Sequence, residues 1–158
     1  MNTASSETAS ATGTTETELV TFRVGDMLMG VDIRQVEEIN RHVQVTAVPH
    51  AREYVRGVIN LRGEVVTVVD LRTVLGLPPV EITKQTRTVV VRSKDEQIGL
   101  RVDRIGDVVK ARTDEIDAPP ANFGGLDGRL CKGVYKLETD LLVLLDVEAA
   151  LVVEPQAA

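Results

Sequence analysis

From Leu19 onward, apolar residues come in short runs rich in Val, Ile and Leu, and Gly, Asp and Pro separate one run from the next. Short apolar runs between turn-forming residues are typical of β-strands. The clearest runs span residues 19–24, 27–33, 65–69, 88–92, 98–102 and 141–145. The pattern therefore predicts a mainly β fold in which helices are few and short.

Three short segments carry helix signals. One lies between Pro49 and Gly57. A second follows Asp70, whose carboxylate can cap residues 71–75 before Gly76 and two prolines end the helix. The segment 146–153 resembles the second, because it also begins with an aspartate. We expect short helices at all three places.

The chain contains an internal repeat. Residues 19–39 align without gaps over residues 88–108, so that Gly30, Asp32 and Val36 correspond to Gly99, Arg101 and Ile105 at a constant offset (99 − 30 = 69). Apolar residues match apolar residues almost throughout the two segments. A fixed-offset match of this kind is the mark of a duplicated structural unit.

A second block of the repeat aligns residues 56–71 with residues 132–147. Gly57 then falls on Gly133, and Asp70 falls on Asp146 (133 − 57 = 76). The seven additional residues (76 − 69) must lie between the two blocks, where the Pro- and Gly-rich segment 118–132 predicts an exposed loop.

The repeat predicts the domain organisation. A unit of about five short strands is too small to bury much surface alone, so we expect it to close into a small barrel and pack against its twin. The expected domain spans residues 19–153, with repeats at about 19–83 and 84–153. The sequence does not decide whether the two repeats exchange strands. Residues 1–18 and 154–158 are expected to be tails, and the groove between barrels is a natural binding place.

Charge and cysteine content narrow the class of partner. The 158-residue chain has a formal net charge of −6, which disfavours non-specific binding to nucleic acid or anionic lipid. Its single cysteine, Cys131, cannot form an internal disulfide, and no segment resembles a signal peptide or a membrane span. We therefore expect a cytoplasmic protein, without direct membrane binding, whose partners are other proteins.

The residues offer little catalytic chemistry. His42 and His50 stand apart from any metal-binding motif, and no Ser or Cys lies in a nucleophile elbow. Gly124 and Gly125 lack the context of a phosphate-binding loop, and Cys131 is interpreted as a small buried apolar residue. The sequence therefore predicts no catalytic residue, no metal and no cofactor.

Several charged residues allow two interpretations. Asp70 and Asp146 are interpreted as helix caps rather than as catalytic acids. The turn containing Arg62 and Gly63 corresponds in the second repeat to a turn with Glu138, so the repeats differ there in charge. Arg62 and Glu38 are either solvated surface residues or contacts to a partner, and the composition alone does not decide.

Two segments resemble a known family. The run VRGVINLRGEVVTVVDLR at residues 55–72 is similar to the signature of CheW, the coupling protein of bacterial chemotaxis. The upstream run GVDIRQVEEI at residues 30–39 resembles the same family, as do residues 99–105 and 141–147. The resemblance covers nearly all of the chain after the N-terminal segment.

The resemblance implies an all-β fold of two intertwined five-stranded SH3-like barrels without catalytic activity. It also implies a bridge between the cytoplasmic tips of chemoreceptors and the regulatory domain of the histidine kinase CheA, within membrane-associated receptor arrays. By position, the residues it links to receptor binding are Ile33, Val36, Glu38, Gly57 and Arg62, with Ile105 added as the repeat partner of Val36. Those linked to kinase binding are Val45, Thr46, Arg56 and Phe123.

The sequence alone does not exclude other functions. The same module could couple receptors to a kinase in a pathway for surface motility or gene regulation. An SH3-like nucleic-acid-binding protein and an enzyme using Asp32 and Asp70 are the rivals from other classes. We expect the free protein to be a monomer that joins rings inside receptor arrays.

Overall fold

The computed structural model describes residues 15–41, 44–119 and 130–149. Ten strands dominate these residues, together with a short α-helix at 71–74, two single-turn 3-10 helices and a helical segment at 147–149. The strands are β1 (Glu16–Val24), β2 (Met27–Asp32), β3 (Val36–Asn40), β4 (Val55–Leu61), β5 (Glu64–Asp70), β6 (Arg87–Ser93), β7 (Glu96–Val102), β8 (Arg104–Arg112), β9 (Cys131–Lys136) and β10 (Leu141–Leu145). The predicted all-β class is confirmed.

The strands form two five-stranded sheets of matching design. Sheet 1 has the order β8-β1-β2-β10-β9, and sheet 2 has the order β3-β6-β7-β5-β4. Replacing each strand by its partner in the other repeat, β1 by β6 and so on to β5 by β10, converts one order into the other. The duplication found in the sequence is thus also a duplication of topology.

Each sheet takes strands from both repeats. Strands β1 and β2 pair with strands of the second repeat, while β3, β4 and β5 share sheet 2 with β6 and β7. Pairing across the repeats includes the two parallel contacts of the fold, β2 with β10 and β5 with β7. Neither sheet could therefore form from one repeat alone.

The alternation of side chains along the strands sorts the apolar residues into three clusters. In β10, Leu142 and Leu144 face a cluster inside sheet 1, whereas Val143 and Leu145 face the large cluster between the sheets. Val90 similarly lies in a third cluster, inside sheet 2. Because the central strands are buried on both faces, they appear in the sequence as continuous apolar runs.

Both sheets curl so that their edge strands approach each other. In sheet 1, Ala111 of β8 and Tyr135 of β9 pack into one cluster although these strands are opposite edges. In sheet 2, Arg62 at the β4–β5 turn forms an ion pair with Glu38 on the far edge strand β3. The curling gives the two small barrels that the repeat predicts.

Of the three predicted helices, those after Asp70 and Asp146 are present and the one before Gly57 is not. Asp70 caps helix α1 (Leu71–Val74) by accepting a hydrogen bond from the Arg72 backbone N–H at 3.0 Å, which confirms the predicted cap. Residues 147–149 are helical after Asp146, as expected. The helix predicted between Pro49 and Gly57 is wrong, because turns lead there directly into β4.

The predicted boundary of the N-terminal segment also needs correction. Strand β1 begins at Glu16 rather than after residue 18, because residues 16–20 pair with residues 108–112 of β8. This pairing could not be read from a stretch with so few apolar residues. Residues 1–14, 42–43, 120–129 and 150–158 lie outside the described residues, and these include His42, Phe123 and the whole of the predicted C-terminal tail 154–158.

Candidate interaction surfaces

The hairpin between β4 and β5 presents Arg62. Arg62 and Gly63 both have positive φ angles, 50° and 85°, and the side chain of Asn60 accepts a hydrogen bond from the Gly63 backbone N–H at 3.0 Å. A two-residue turn with positive φ at both positions suits the twist of a β-hairpin. The turn thus holds Arg62 at the tip of the hairpin, with its side chain directed toward β3.

Arg62 and Glu38 form a direct pair. Nη2 of Arg62 donates to Oε1 of Glu38 at 2.5 Å, and the arginine side chain is 75% exposed while the glutamate side chain is 19% exposed. Hydrogen bonds from the Asn40 side chain and then from Arg62 hold the pKa of Glu38 below its ordinary value. The carboxylate is therefore ionised at neutral pH and orients an otherwise free guanidinium.

Apolar residues accompany this pair on two equivalent edge strands. Val36 on β3 and its repeat partner Ile105 on β8 are both half-buried against the large central cluster. The next matched pair, Ile39 and Val108, is exposed to solvent, as is Ile33 just before β3. Strands β3 and β8 are edges of their sheets, so the repeat displays the same apolar spacing twice on accessible strands.

Gly57 has a structural explanation of its own. Its φ of +146° lies where side chains are disfavoured, and a Cβ there would be 2.2 Å from the carbonyl oxygen of Thr46. This close approach accompanies two backbone hydrogen bonds between Thr46 and Val58, at 2.8 and 2.9 Å. Gly57 is buried and lets the segment before β4 lie against the sheet edge.

The residues predicted to bind the kinase gather along β4, the opposite edge of sheet 2. Val45 packs on the cluster inside that sheet, and Thr46 is exposed beside Val58. Nε of Arg56 lies 3.2 Å from Oδ2 of Asp70, and its Nη2 donates to Oγ1 of Thr73 at 3.2 Å. Phe123, the fourth member, is outside the described residues.

Arg101 is a site residue that the sequence analysis missed. Its half-buried guanidinium lies in a cavity of about 290 Å³, the Arg101 cavity, where Arg56 and Arg72 are also found. The equivalent place in the other barrel, the Asp32 cavity, has a volume of about 300 Å³. The repeat alignment did contain a signal, because it set Arg101 on Asp32 and so placed opposite charges at matched positions.

The described residues contain little that would support catalysis. No group of three or more His, Cys, Asp or Glu side chains in residues 15–41, 44–119 and 130–149 could hold a metal ion. Cys131 is buried as predicted, and burial raises the pKa of its thiol. Within this same part of the chain, no helix has the length and hydrophobicity needed to cross a lipid bilayer.

Comparison with known proteins decides the family. The model of the CheW-like domain matches residues 18–154, which is most of the chain. The chain belongs to the CheW family. Membership of this chemotaxis scaffold family agrees with the two five-stranded sheets described above.

Individual CheW proteins are similar over most of their length. A probable chemotaxis protein CheW of Rhizobium etli is 35% identical over 133 residues, which are 84% of this chain and 85% of that protein. The chemotaxis protein CheW of Bacillus subtilis is 34% identical over 134 residues, 85% of this chain and 86% of that protein.

A solved structure has the same fold. The crystal structure of the scaffolding protein TtCheW from Thermoanaerobacter tengcongensis superposes with a TM-score of 0.78 at 28% sequence identity. The match covers 82% of this chain and 88% of that chain. The CheW fold therefore extends over nearly all of the described residues.

Proposed function

We propose that this CheW-family chain is a non-enzymatic coupling protein. It holds the cytoplasmic tip of a chemoreceptor and the regulatory domain of the histidine kinase CheA at a fixed relative position, within the receptor arrays at the membrane. The proposal rests on family membership together with one observation: Arg56 lies at the start of β4 and Arg62 directly after its end, so the two proposed surfaces are centred on opposite ends of this strand.

The receptor surface is formed by Ile33, Val36, Glu38, Arg62 and Ile105. Half-buried Val36 and Ile105 provide an apolar contact area that suits the apolar face of a helix. The Glu38–Arg62 pair borders this area, and its mostly exposed guanidinium can bind a carboxylate or backbone carbonyl of the receptor. Gly57 acts indirectly, because it fixes the strand that leads to the Arg62 turn.

The kinase surface lies along β4 and includes Val45, Thr46 and Arg56, with Phe123 as a second contact. Since Arg56 lies at the start of β4 and Arg62 follows its end, partners bound at the two ends would be separated by the length of a rigid, packed strand. Such an arrangement lets a small displacement of the receptor be transmitted to the kinase without any chemical step.

Capture of the two partners, separately and together, tests the proposal. A receptor cytoplasmic fragment and the CheA regulatory domain are presented to the natural chain, and both should be retained. Arg62→Ala and Val36→Ala should weaken receptor capture at least about tenfold while kinase capture is unchanged. Arg112→Ala is the matched control, because Arg112 is also an exposed arginine paired with a nearby acid, Asp114.

Exchanging the charges of Glu38 and Arg62 tests whether the pair contacts the receptor or only stabilises the fold. The double variant Glu38→Arg with Arg62→Glu rebuilds the ion pair with reversed polarity. If the two charges contact the receptor directly, the double variant stays defective although its thermal stability is restored. Recovery of receptor capture in the double variant would reduce the pair to a structural role, and capture of neither partner by the natural chain would overturn the proposed function.

A further inference from the structure

The Arg101 cavity lies between the end of β5, the start of α1 and the segment 79–86. Three arginines line it, Arg56, Arg72 and Arg101, together with the acids Asp70, Glu81 and Asp103. The balance of charge in such a cavity depends on which of these groups already neutralise one another.

Two of the arginines have an ion-pair partner in the protein. Arg72 donates to Oδ2 of Asp103 at 2.6 Å and to the carbonyl oxygen of Pro78 at 2.7 Å. Nε of Arg56 forms no hydrogen bond within the described residues, but it lies 3.2 Å from Oδ2 of Asp70 as an ion pair, and Oδ1 of Asp70 caps α1. Both aspartates are thus fully engaged, since Asp103 also accepts from the Gly25 backbone N–H at 2.7 Å.

Arg101 is the arginine of this cavity that has no ion-pair partner within the described residues. Its Nε is buried and has no hydrogen-bond partner, and its guanidinium forms no ion pair with residues 15–41, 44–119 or 130–149. Burial, reinforced by the charge of Arg56, lowers its pKa from the ordinary arginine value, although nearby Asp70 acts in the opposite direction. A half-buried donor without an acceptor is costly, and such a cost is expected where a ligand supplies the acceptor.

The Asp32 cavity is the matched place in the other barrel and can be compared directly with the Arg101 cavity. Asp32 occupies the position equivalent to Arg101, and Thr17 is equivalent to Thr86 (86 − 17 = 69). There the charge is satisfied within the chain, since Asp32 accepts from the Arg34 backbone N–H at 2.8 Å, from Arg34 Nη2 at 2.7 Å and from Thr17 at 3.3 Å. Two cavities of the same origin therefore differ in whether an external counter-charge is needed.

We propose that the Arg101 cavity is a carboxylate-binding subsite that receives an acidic side chain of a protein partner. The rim supports a protein ligand rather than a free ion, because Val80 is 58% exposed and Ile82 is 43% exposed beside the cavity. An Asp or Glu next to an apolar residue would satisfy Arg101 and cover both side chains.

The partner assignment rests on the proposed function. Arg56, which belongs to the proposed kinase surface, also lines the cavity, so the acidic side chain is assigned to the regulatory domain of CheA. Glu81 is the internal competitor, since its exposed carboxylate borders the same space. If Glu81 neutralised Arg101 in solution, no external carboxylate would be required.

The first experiment measures the subsite without any partner protein. Sodium acetate and inorganic phosphate are titrated into the folded natural chain while the NMR signal of the Arg101 Nε–Hε group is followed. Acetate should produce a saturable shift that is retained in Glu81→Gln. Absence of a saturable shift with either anion in both chains would overturn the subsite, whether or not CheA binds.

The second experiment measures the partner. Affinity for the CheA regulatory domain should fall at least about tenfold in Arg101→Gln and further in Arg101→Glu. Lys110→Gln, which removes one exposed positive charge from sheet 1, should leave affinity unchanged.

Saturable anion binding combined with unchanged kinase affinity in Arg101→Gln would overturn the assignment to a partner side chain and leave a free-oxyanion site. If CheA does not bind the natural chain, the proposed function fails, and with it the assignment of the carboxylate to CheA; the first experiment still decides the subsite itself.

Discussion

The two barrels of this CheW-family protein have the same strand order but different charge chemistry. At one matched position Asp32 is neutralised by Arg34 of its own chain, and at the other Arg101 has no partner among the described residues. The matched glycines also differ: a Cβ on Gly57 would be 2.2 Å from a backbone carbonyl oxygen at a φ of +146°, whereas a Cβ on Gly133 would be 2.8 Å from Ile116 Cγ2 and 3.1 Å from the Asp117 carbonyl oxygen. The duplication thus preserved the strand order, while charges and close contacts at matched positions diverged.

The largest expected effect contrasts the two glycines. Gly57→Ala forces a Cβ to within 2.2 Å of the Thr46 carbonyl oxygen at a φ of +146°, so we expect a loss of about 3 kcal/mol or more in the free energy of unfolding. Gly133→Ala meets Ile116 Cγ2 at 2.8 Å, which the side chain can relieve by moving, and the Asp117 carbonyl oxygen at 3.1 Å, which requires only a small shift, so it should cost about 1 kcal/mol. Urea denaturation of both variants measures the difference, and equal losses would refute this account.

The next effect concerns Asp32. Asp32→Asn weakens the bonds to Arg34 and Thr17, and we expect a loss of about 1 kcal/mol because the side chain of Arg34, the main partner, is 82% exposed. The hydrogen bond from the Arg34 side chain is the main reason that the pKa of Asp32 lies below its ordinary value of 3.8, and burial opposes it. The stabilisation is thus complete well above pH 3.8 and disappears as the pH falls through the folded-state pKa.

Denaturation of the natural chain and Asp32→Asn at several pH values checks both the size and the sign. The difference between them should be constant near neutral pH and shrink at acidic pH. A difference that grows on acidification would contradict the assigned direction of the pKa shift.

Replacing Arg101 should change the free energy of unfolding in the opposite direction. Replacing it by Met removes a half-buried cation without a partner and keeps the side chain long, so Arg101→Met should raise the free energy of unfolding by up to about 1 kcal/mol. The matched replacement Arg56→Met removes a paired arginine and should lower stability instead. Thermal denaturation of the two variants gives the comparison, and a loss of stability in Arg101→Met would mean that the cation is satisfied within the chain.

The smallest stability effect is expected at Arg62. Its side chain is largely exposed, so Arg62→Ala should change the free energy of unfolding by less than about 1 kcal/mol. The same variant is expected to have a large effect on receptor capture. A melting temperature close to that of the natural chain, measured alongside the capture assay, assigns the defect to binding; strong unfolding would contradict the surface role.

Much of the fold could be predicted because it is encoded locally. The apolar runs marked the strands, the two fixed offsets revealed the repeat, and Asp70 marked the start of α1 through a bond between residues two apart. The helix predicted before Gly57 failed, because the hydrogen bonds of Thr46 with Val58 involve residues twelve positions apart. Local propensity carries no information about such a contact.

The residues proposed to bind partners show the same division between local and long-range information. Resemblance to the family pointed to Arg62 and Glu38, but their direct pairing depends on the curling of sheet 2, which brings opposite edges together. The charge difference between Asp32 and Arg101 was visible in the aligned repeats. Its consequence was not, because the alignment does not show that Asp70 and Asp103 are already engaged by other groups.

The sequence by itself determined the β class, the duplicated unit and the family, since each depends on residue type and spacing along the chain. Only the tertiary structure decided which strands pair, because the same apolar alternation permits pairing within a repeat or between repeats. It also decided which charges remain without a partner, since neutralisation depends on distances between residues far apart in the chain. Arg101 is separated from the engaged Asp70 by 31 positions and lies opposite it in the sheet.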